Sequence, residues 1–158
     1  MTHLSTPPRA PVLSEGGRDF RDLNKNGHLD PYEDTRRPVD ERVEDLLSQM
    51  TLEEKAGLMF HTILPAGQDG SLVEGASRFG PFSTARAVLD QMMNHFNVHD
   101  LPEPVLAVEW HNQLQELAER TRLGIPVTLS SDPRHAFSNN PLANLRAAHI
   151  SQWPEPVG

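Results

Sequence analysis

The chain has 158 residues, of which 37% are hydrophobic and 23% charged, and these are ordinary values for about one soluble domain. Its net charge of −8 argues against nucleic acid as a partner, because phosphate binding needs clustered Lys and Arg. The absence of cysteine excludes a disulfide framework and a thiolate metal site, and no apolar run reaches the roughly 18 residues that span a membrane.

The amino-terminal segment, residues 1–17, is predicted to be a disordered tail. It contains Pro7, Pro8, Pro11 and the Gly16-Gly17 pair, and it has little apolar surface to bury. The start also lacks the apolar stretch of a signal peptide, which suits a cytoplasmic protein or an exported protein after processing.

Residues 18–36 are predicted to hold an EF-hand-like loop. The stretch from Asp22 to Glu33 matches the calcium-loop template at every fixed position, with Gly27 at the sharp turn. Calcium takes six to eight oxygen ligands, and this spacing would supply them in a ring. The predicted ligands are the side chains of five residues and the backbone carbonyl of His28, namely Asp22, Asn24, Asn26, His28, Asp30 and Glu33.

The same segment has a second interpretation that needs no metal. Asn26-Gly27 is a strong turn former, and Asp30-Pro31-Tyr32-Glu33 has the residues of a helix start, with Glu33 reaching back to Asp30. The loop could then be held by its own side chains. A bound calcium ion would have a structural role.

Residues 37–158 are predicted to form α/β structure. Val39, Val43, Leu46, Leu47 and Met50 make one apolar stripe on a helix from Pro38 to Met50, and Thr51-Leu52-Glu53-Glu54 is a capping box that starts a second helix. The later predicted elements are a strand at Met59 to Leu64, a helix at Thr84 to Met93, a strand at His95 to Val98, a helix at Val105 to Arg122 ended by Gly124, and a strand at Ile125 to Ser130.

A polar run, Ser131-Asp132-Pro133-Arg134-His135, follows the last of these strands. Polar residues after a buried parallel strand are where α/β barrels place their ligand contacts, so Asp132 is a candidate for binding sugar hydroxyls. The spacing alone is also that of a simple turn, with Asp132 as a cap paired to Arg134.

Several blocks of the sequence, in order, resemble the β-glucosidase type of family 3 glycoside hydrolases. The blocks are Asp22 to Asp34, Arg42 to Leu47, Met50 to Gly57, Trp110 to Glu119, Thr121 to Val127, Ser131 to His135 and Ser151 to Pro156. The resemblance implies the first part of a (β/α)₈ barrel, preceded by the tail and the loop. It also implies a retaining glycosidase acting on β-linked glucosides, with no cofactor required for catalysis.

The resemblance also assigns individual residues. Asp132 aligns with the family's Asp at the end of the second barrel strand, which holds hydroxyls of the sugar that is cleaved. The family's nucleophile motif Ser-Asp-Trp, its Lys-His pair and its Ala-Thr-Arg-Asp stretch do not occur in these 158 residues. We therefore expect an incomplete barrel domain without catalytic residues and without activity on its own. The alternative is a non-catalytic, calcium-stabilised module.

Overall fold

The computed structural model describes residues 9–75 and 83–131 as a mixture of short helices and two small sheets. We label the helices α1 to α3 and the strands β1 to β5 in chain order, and treat one π-helical turn separately. The elements are β1 (Val12–Glu15), β2 (Arg18–Arg21), α1 (Val39–Gln49), α2 (Leu52–Leu58), β3 (His61–Ile63), the π-helical turn (Arg86–Asp90), β4 (His95–Val98), α3 (Pro104–Ala118) and β5 (Thr128–Ser131).

An antiparallel hairpin of β1 and β2 begins the described chain. Its register pairs Val12 with Arg21 and Glu15 with Arg18, and the two-residue connection is Gly16-Gly17, with φ of +59° and +75°. Positive φ at both central residues is the geometry that hairpin turns favour and that glycine adopts without strain. The prediction of a disordered tail over residues 1–17 is therefore wrong for β1 and its turn, because the Gly pair makes a hairpin there.

The two helices that follow agree with the sequence pattern. In α2 the hydroxyl of Thr51 accepts from the Glu54 backbone N–H (3.2 Å) and the Glu54 carboxylate accepts from the Thr51 N–H (2.9 Å), which confirms the capping box. The apolar stripe of α1 is present, but no residue of α1 is buried within the described part of the chain. Val39, Val43 and Leu47 are all exposed.

The three remaining strands form a parallel sheet in the order β3-β4-β5, which is also their order along the chain. His61 of β3 is level with His95 of β4, and His95 is level with Thr128 of β5. The helix α3 connects β4 to β5, and consecutive parallel strands joined by a helix are the repeating unit of α/β folds. The α/β prediction is confirmed at this level, although the described residues do not form a closed barrel.

The core lies on one side of this sheet. Phe96 and Val98 of β4 are buried there against Trp110 and Leu114 of α3, and Val88 of the π-helical turn completes the layer. The predicted helix at Thr84 to Met93 thus contains a π-helical turn, and the predicted helix at Val105 to Arg122 ends earlier, at Ala118. In the part of the chain that is described, no helix has the length and apolarity to cross a membrane.

Candidate functional site

The loop from Asp22 to Glu33 follows directly on β2 and is closed by a dense set of hydrogen bonds. Asp22 is 2% exposed, and its carboxylate accepts from the backbone N–H groups of Asn26 (3.0 Å) and Gly27 (2.9 Å). Gly27 has a φ of +81°, a conformation that favours glycine, and this lets its N–H turn toward Asp22. The first half of the loop is therefore wound around one buried carboxylate.

A second carboxylate, that of Glu33, closes the other half. It is 5% exposed, its Oε1 accepts from the N–H groups of Leu23 (2.6 Å) and Asn24 (3.2 Å), and its Oε2 accepts from the N–H of Asp30 (3.0 Å). The reach from Glu33 back to Asp30 is the contact that the metal-free interpretation predicted. The backbone at residues 31–33 forms a turn, not a helix.

The remaining predicted ligands lie between these two carboxylates. Asp30 Oδ2 accepts from the side-chain amides of Asn24 and Asn26, at 2.6 Å each, and the His28 N–H donates to Asn26 Oδ1 (2.7 Å). The structure thus brings all six predicted ligand residues together in one loop. The His28 side chain is exposed, in keeping with a predicted role for its backbone alone.

The six predicted ligand residues have the oxygen atoms that calcium needs, but two of their side chains are not oriented to present them. Every predicted donor is an oxygen, as a hard cation requires. Asn24 and Asn26, however, turn their N–H₂ groups toward Asp30, and the described residues contain no ready-made cluster of three His, Cys, Asp or Glu side chains around a metal position. Rotation of the side-chain amide groups of Asn24 and Asn26 by half a turn would present their oxygen atoms instead.

The loop is fastened to the connection between α3 and β5. Lys25 Nζ donates to the carbonyls of Leu23 (2.7 Å) and Thr121 (2.6 Å), and the Tyr32 hydroxyl donates to the Leu123 carbonyl (3.2 Å). Burial lowers the pKa of Lys25, although Asp22, Glu119 and Glu33 act in the opposite direction. Burial, then the nearby Glu33 carboxylate, raises the pKa of Tyr32, so its hydroxyl stays protonated and remains a donor.

The second predicted site begins where β5 ends. Ser131 is the last residue of β5, and Asp132, the predicted sugar-binding residue, lies outside the described residues together with Arg134 and His135. Asp132 directly follows β5, which is the third strand in chain order of the parallel sheet within the described residues. The geometry of its carboxylate therefore stays a prediction.

The curated proteins that are similar to this chain in sequence are named as β-glucosidases. The chain is 40% identical to a periplasmic beta-glucosidase/beta-xylosidase of Dickeya chrysanthemi over 150 residues, and 43% identical to a probable beta-glucosidase C of Aspergillus oryzae over 157 residues. A beta-glucosidase C of Emericella nidulans is 42% identical over 138 residues. The chain is a homologue of β-glucosidases. These relatives confirm the predicted resemblance to glycoside hydrolases of the β-glucosidase type, while no family model matches the chain.

The homology covers most of this chain but a small part of each relative. The matches include 94%, 98% and 87% of the chain, and they span 23%, 23% and 21% of the three relatives. The β-glucosidase homologue thus spans less than a quarter of the length of these curated relatives.

One polar contact on the sheet was not found from the sequence. His61 Nε2 lies 2.7 Å from Ser130 Oγ, so the homologue joins β3 to β5 across the central strand. The two residues are 69 positions apart, and nothing in their spacing along the sequence links them. Only the strand register brings them to the same face.

Proposed function

We propose that the chain is the sugar-contacting first part of a retaining β-glucosidase-type glycoside hydrolase. The observation that carries the proposal is the parallel order β3-β4-β5, in a chain 40–43% identical to proteins named as β-glucosidases. In α/β barrels the carboxyl ends of such strands carry the ligand contacts. The polar run from Ser131 to His135 begins at the last residue of β5, and Asp132 is proposed for that role.

Asp132 is proposed to hold sugar hydroxyls and not to react. A carboxylate accepts two hydroxyl hydrogen bonds at once, and charged acceptors make the stronger bonds. A retaining glycosidase needs two further carboxyl groups about 5–5.5 Å apart, one as nucleophile and one as acid and base. The motifs that would supply them in the family do not occur in these 158 residues.

The chain alone is therefore proposed to be inactive. The test is hydrolysis of p-nitrophenyl β-glucoside by the purified 158-residue chain, with a full-length relative, such as the Dickeya enzyme, as positive control. We expect no release of p-nitrophenol above a heat-treated sample. Release of p-nitrophenol by the wild-type chain that disappears with Asp132→Asn would overturn the proposal. It would mean that the chain is active and that its activity depends on Asp132.

A second proposal concerns the loop, which we propose to be a structural calcium site. Asp22 and Glu33 are almost completely buried, and none of the ion pairs between described residues involves either of them or Asp30. Buried carboxylates are costly unless a cation or hydrogen bonds compensate them. A bound calcium ion would add a cation beside carboxylates that are compensated so far by backbone N–H groups and by the nearby Lys25.

Calorimetric titration with calcium separates this proposal from the metal-free interpretation. We expect the wild-type chain to bind calcium at a single site and Glu33→Gln to abolish the heat of binding. The control is Glu44→Gln, which removes the same negative charge at an exposed position of α1 and should leave the heat of binding intact. Absence of calcium binding by the wild-type chain would mean that the loop is held by its own hydrogen bonds without a metal. The same result would also remove the alternative of a calcium-stabilised, non-catalytic module.

A further inference from the structure

Lys25 lies in the loop at a position where the backbone conformation is unusual for lysine. Its φ is +61°, in the left-handed region that glycine and asparagine adopt more easily. Among the described residues, Met92 is the one other non-glycine residue with a positive φ. Contacts of the side chain can offset the cost of such a conformation. Lys25 makes two, since its Nζ donates to the carbonyl of Leu23 within the loop (2.7 Å) and to that of Thr121 outside it (2.6 Å).

The ammonium group of Lys25 also lies in the electrostatic field of the two buried carboxylates of the loop. Burial lowers the pKa of Lys25, while the negative charges of Asp22, of Glu119 at the end of α3 and of Glu33 raise it. None of the ion pairs within 4 Å between described residues involves Lys25. The ammonium group therefore compensates the carboxylates through space and does not block the oxygens that are predicted to bind calcium.

A calcium ion held by Asp22 and Glu33 would be attracted by the same carboxylates that attract Lys25. The ion and the ammonium group are both positive, so each lowers the affinity of the loop for the other. Charges of +2 and +1 about 8 Å apart in the dielectric of water repel by an amount that corresponds to about a fivefold change in affinity, and by more in a partly buried site. Salt screens a repulsion of this kind.

We propose that Lys25 is a built-in counter-cation of the loop, which compensates the carboxylates without calcium and lowers the affinity for calcium. The inference rests on the proposed calcium site and names the residue that sets its affinity. Removal of the positive charge should therefore tighten calcium binding. A lysine that only fastened the loop to Thr121 would have the opposite effect, because a loosened loop binds calcium more weakly.

The test is calorimetric titration of the 158-residue chain with calcium at about 10 mM salt. Lys25→Gln keeps an N–H donor but removes the charge, whereas Lys25→Arg keeps the charge. The matched control is Lys55→Gln, which removes the same charge from the other lysine of the chain, at an exposed position of α2. Lys25→Asn provides a second uncharged variant, because asparagine tolerates a positive φ and keeps the comparison possible if Lys25→Gln does not fold.

We expect Lys25→Gln to bind calcium about five- to tenfold more tightly than wild type, and Lys25→Arg and Lys55→Gln to stay within about twofold of it. The gain should decrease at about 0.5 M salt, where charges are screened. Thermal unfolding gives a second measurement. Without calcium, Lys25→Gln should unfold at a lower temperature than wild type, and saturating calcium should narrow the difference, because a ligand stabilises the protein that binds it more tightly to a greater extent.

The outcomes separate this inference from the calcium proposal on which it rests. Calcium binding by wild type together with equal or weaker binding by Lys25→Gln would overturn the role of Lys25 and leave the calcium site in place. Binding by Lys25→Gln but not by wild type would support the role of Lys25 and would contradict a calcium site in the native chain. Absence of binding by wild type and by both uncharged variants would overturn both proposals.

Discussion

Glu54 and Arg122 lie 68 residues apart and join the start of α2 to the connection between α3 and β5. Arg122 Nε donates to Glu54 Oε1 (2.9 Å), and Arg122 Nη2 donates to the Gln49 carbonyl at the end of α1 (2.8 Å). The same Glu54 carboxylate completes the capping box with Thr51. Burial opposes ionisation of Glu54, but hydrogen bonds from Arg122 and Thr51 outweigh it and lower its pKa.

Thr51→Ala is expected to lower the free energy of unfolding by about 1 kcal/mol. The change removes the hydroxyl that accepts from the Glu54 N–H and leaves one donor of the first turn unsatisfied. Thr51→Ser keeps the hydroxyl and serves as the control, with an expected loss of less than half as much. Urea unfolding followed by circular dichroism measures both, and equal losses for the two variants would contradict the cap.

Gly124→Ala is expected to destabilise the chain more than Gly17→Ala. Both glycines have positive φ, +58° and +75°, so both alanine variants incur a backbone strain of about 1–2 kcal/mol. A methyl group at Gly124 would also come within 2.9 Å of Leu23 Cβ and 3.0 Å of the Leu23 carbonyl, whereas nothing lies within 4 Å at Gly17.

The difference between these two variants isolates the contact between the loop and the α3–β5 connection. Thermal unfolding of both proteins at one concentration gives the comparison. A midpoint for Gly124→Ala equal to that of Gly17→Ala would mean that Leu23 moves away freely and that the loop is not firmly packed there.

Asp34→Asn is expected to destabilise the chain at neutral pH and to have less effect in acid. Side-chain hydrogen bonds from Arg36, at 2.8 Å from Nε and 2.8 Å from Nη2, hold the pKa of Asp34 at about 2, below its ordinary value of 3.8. A carboxyl group with a lowered pKa stabilises the folded state fully above its ordinary pKa, and that contribution is lost as pH falls from about 4 through about 2.

The measurement is the midpoint of thermal unfolding of wild type and Asp34→Asn across that range. The difference between the two proteins should be constant above about pH 5 and should shrink as pH falls toward 2. Glu44→Gln, an exposed change on α1, is the control and should show no such trend. A difference that does not change with pH would show that the Arg36 pair contributes nothing to stability.

Local features of the fold could be predicted from the sequence because they depend on neighbours along the chain. The capping box at Thr51 and the apolar spacing in α3 are of this kind, and the structure confirms both. The sequence also predicted β4, although the prediction for the last strand began three residues before β5 does. The hairpin at β1 and β2 was not predicted, since the Gly pair was interpreted only as a sign of disorder.

The sequence by itself determined that the chain is a homologue of β-glucosidases, since that conclusion rests on the order of its residues. It also predicted that Glu33 reaches back to Asp30 within the loop. Tertiary structure decided that the loop is fastened to the α3–β5 connection through Lys25 and Tyr32, and that His61 meets Ser130. It also decided that the apolar stripe of α1 is not buried within the described residues. The physical reason is that a periodic pattern specifies a face of a helix or strand, but only the arrangement of elements distant in sequence specifies what covers that face.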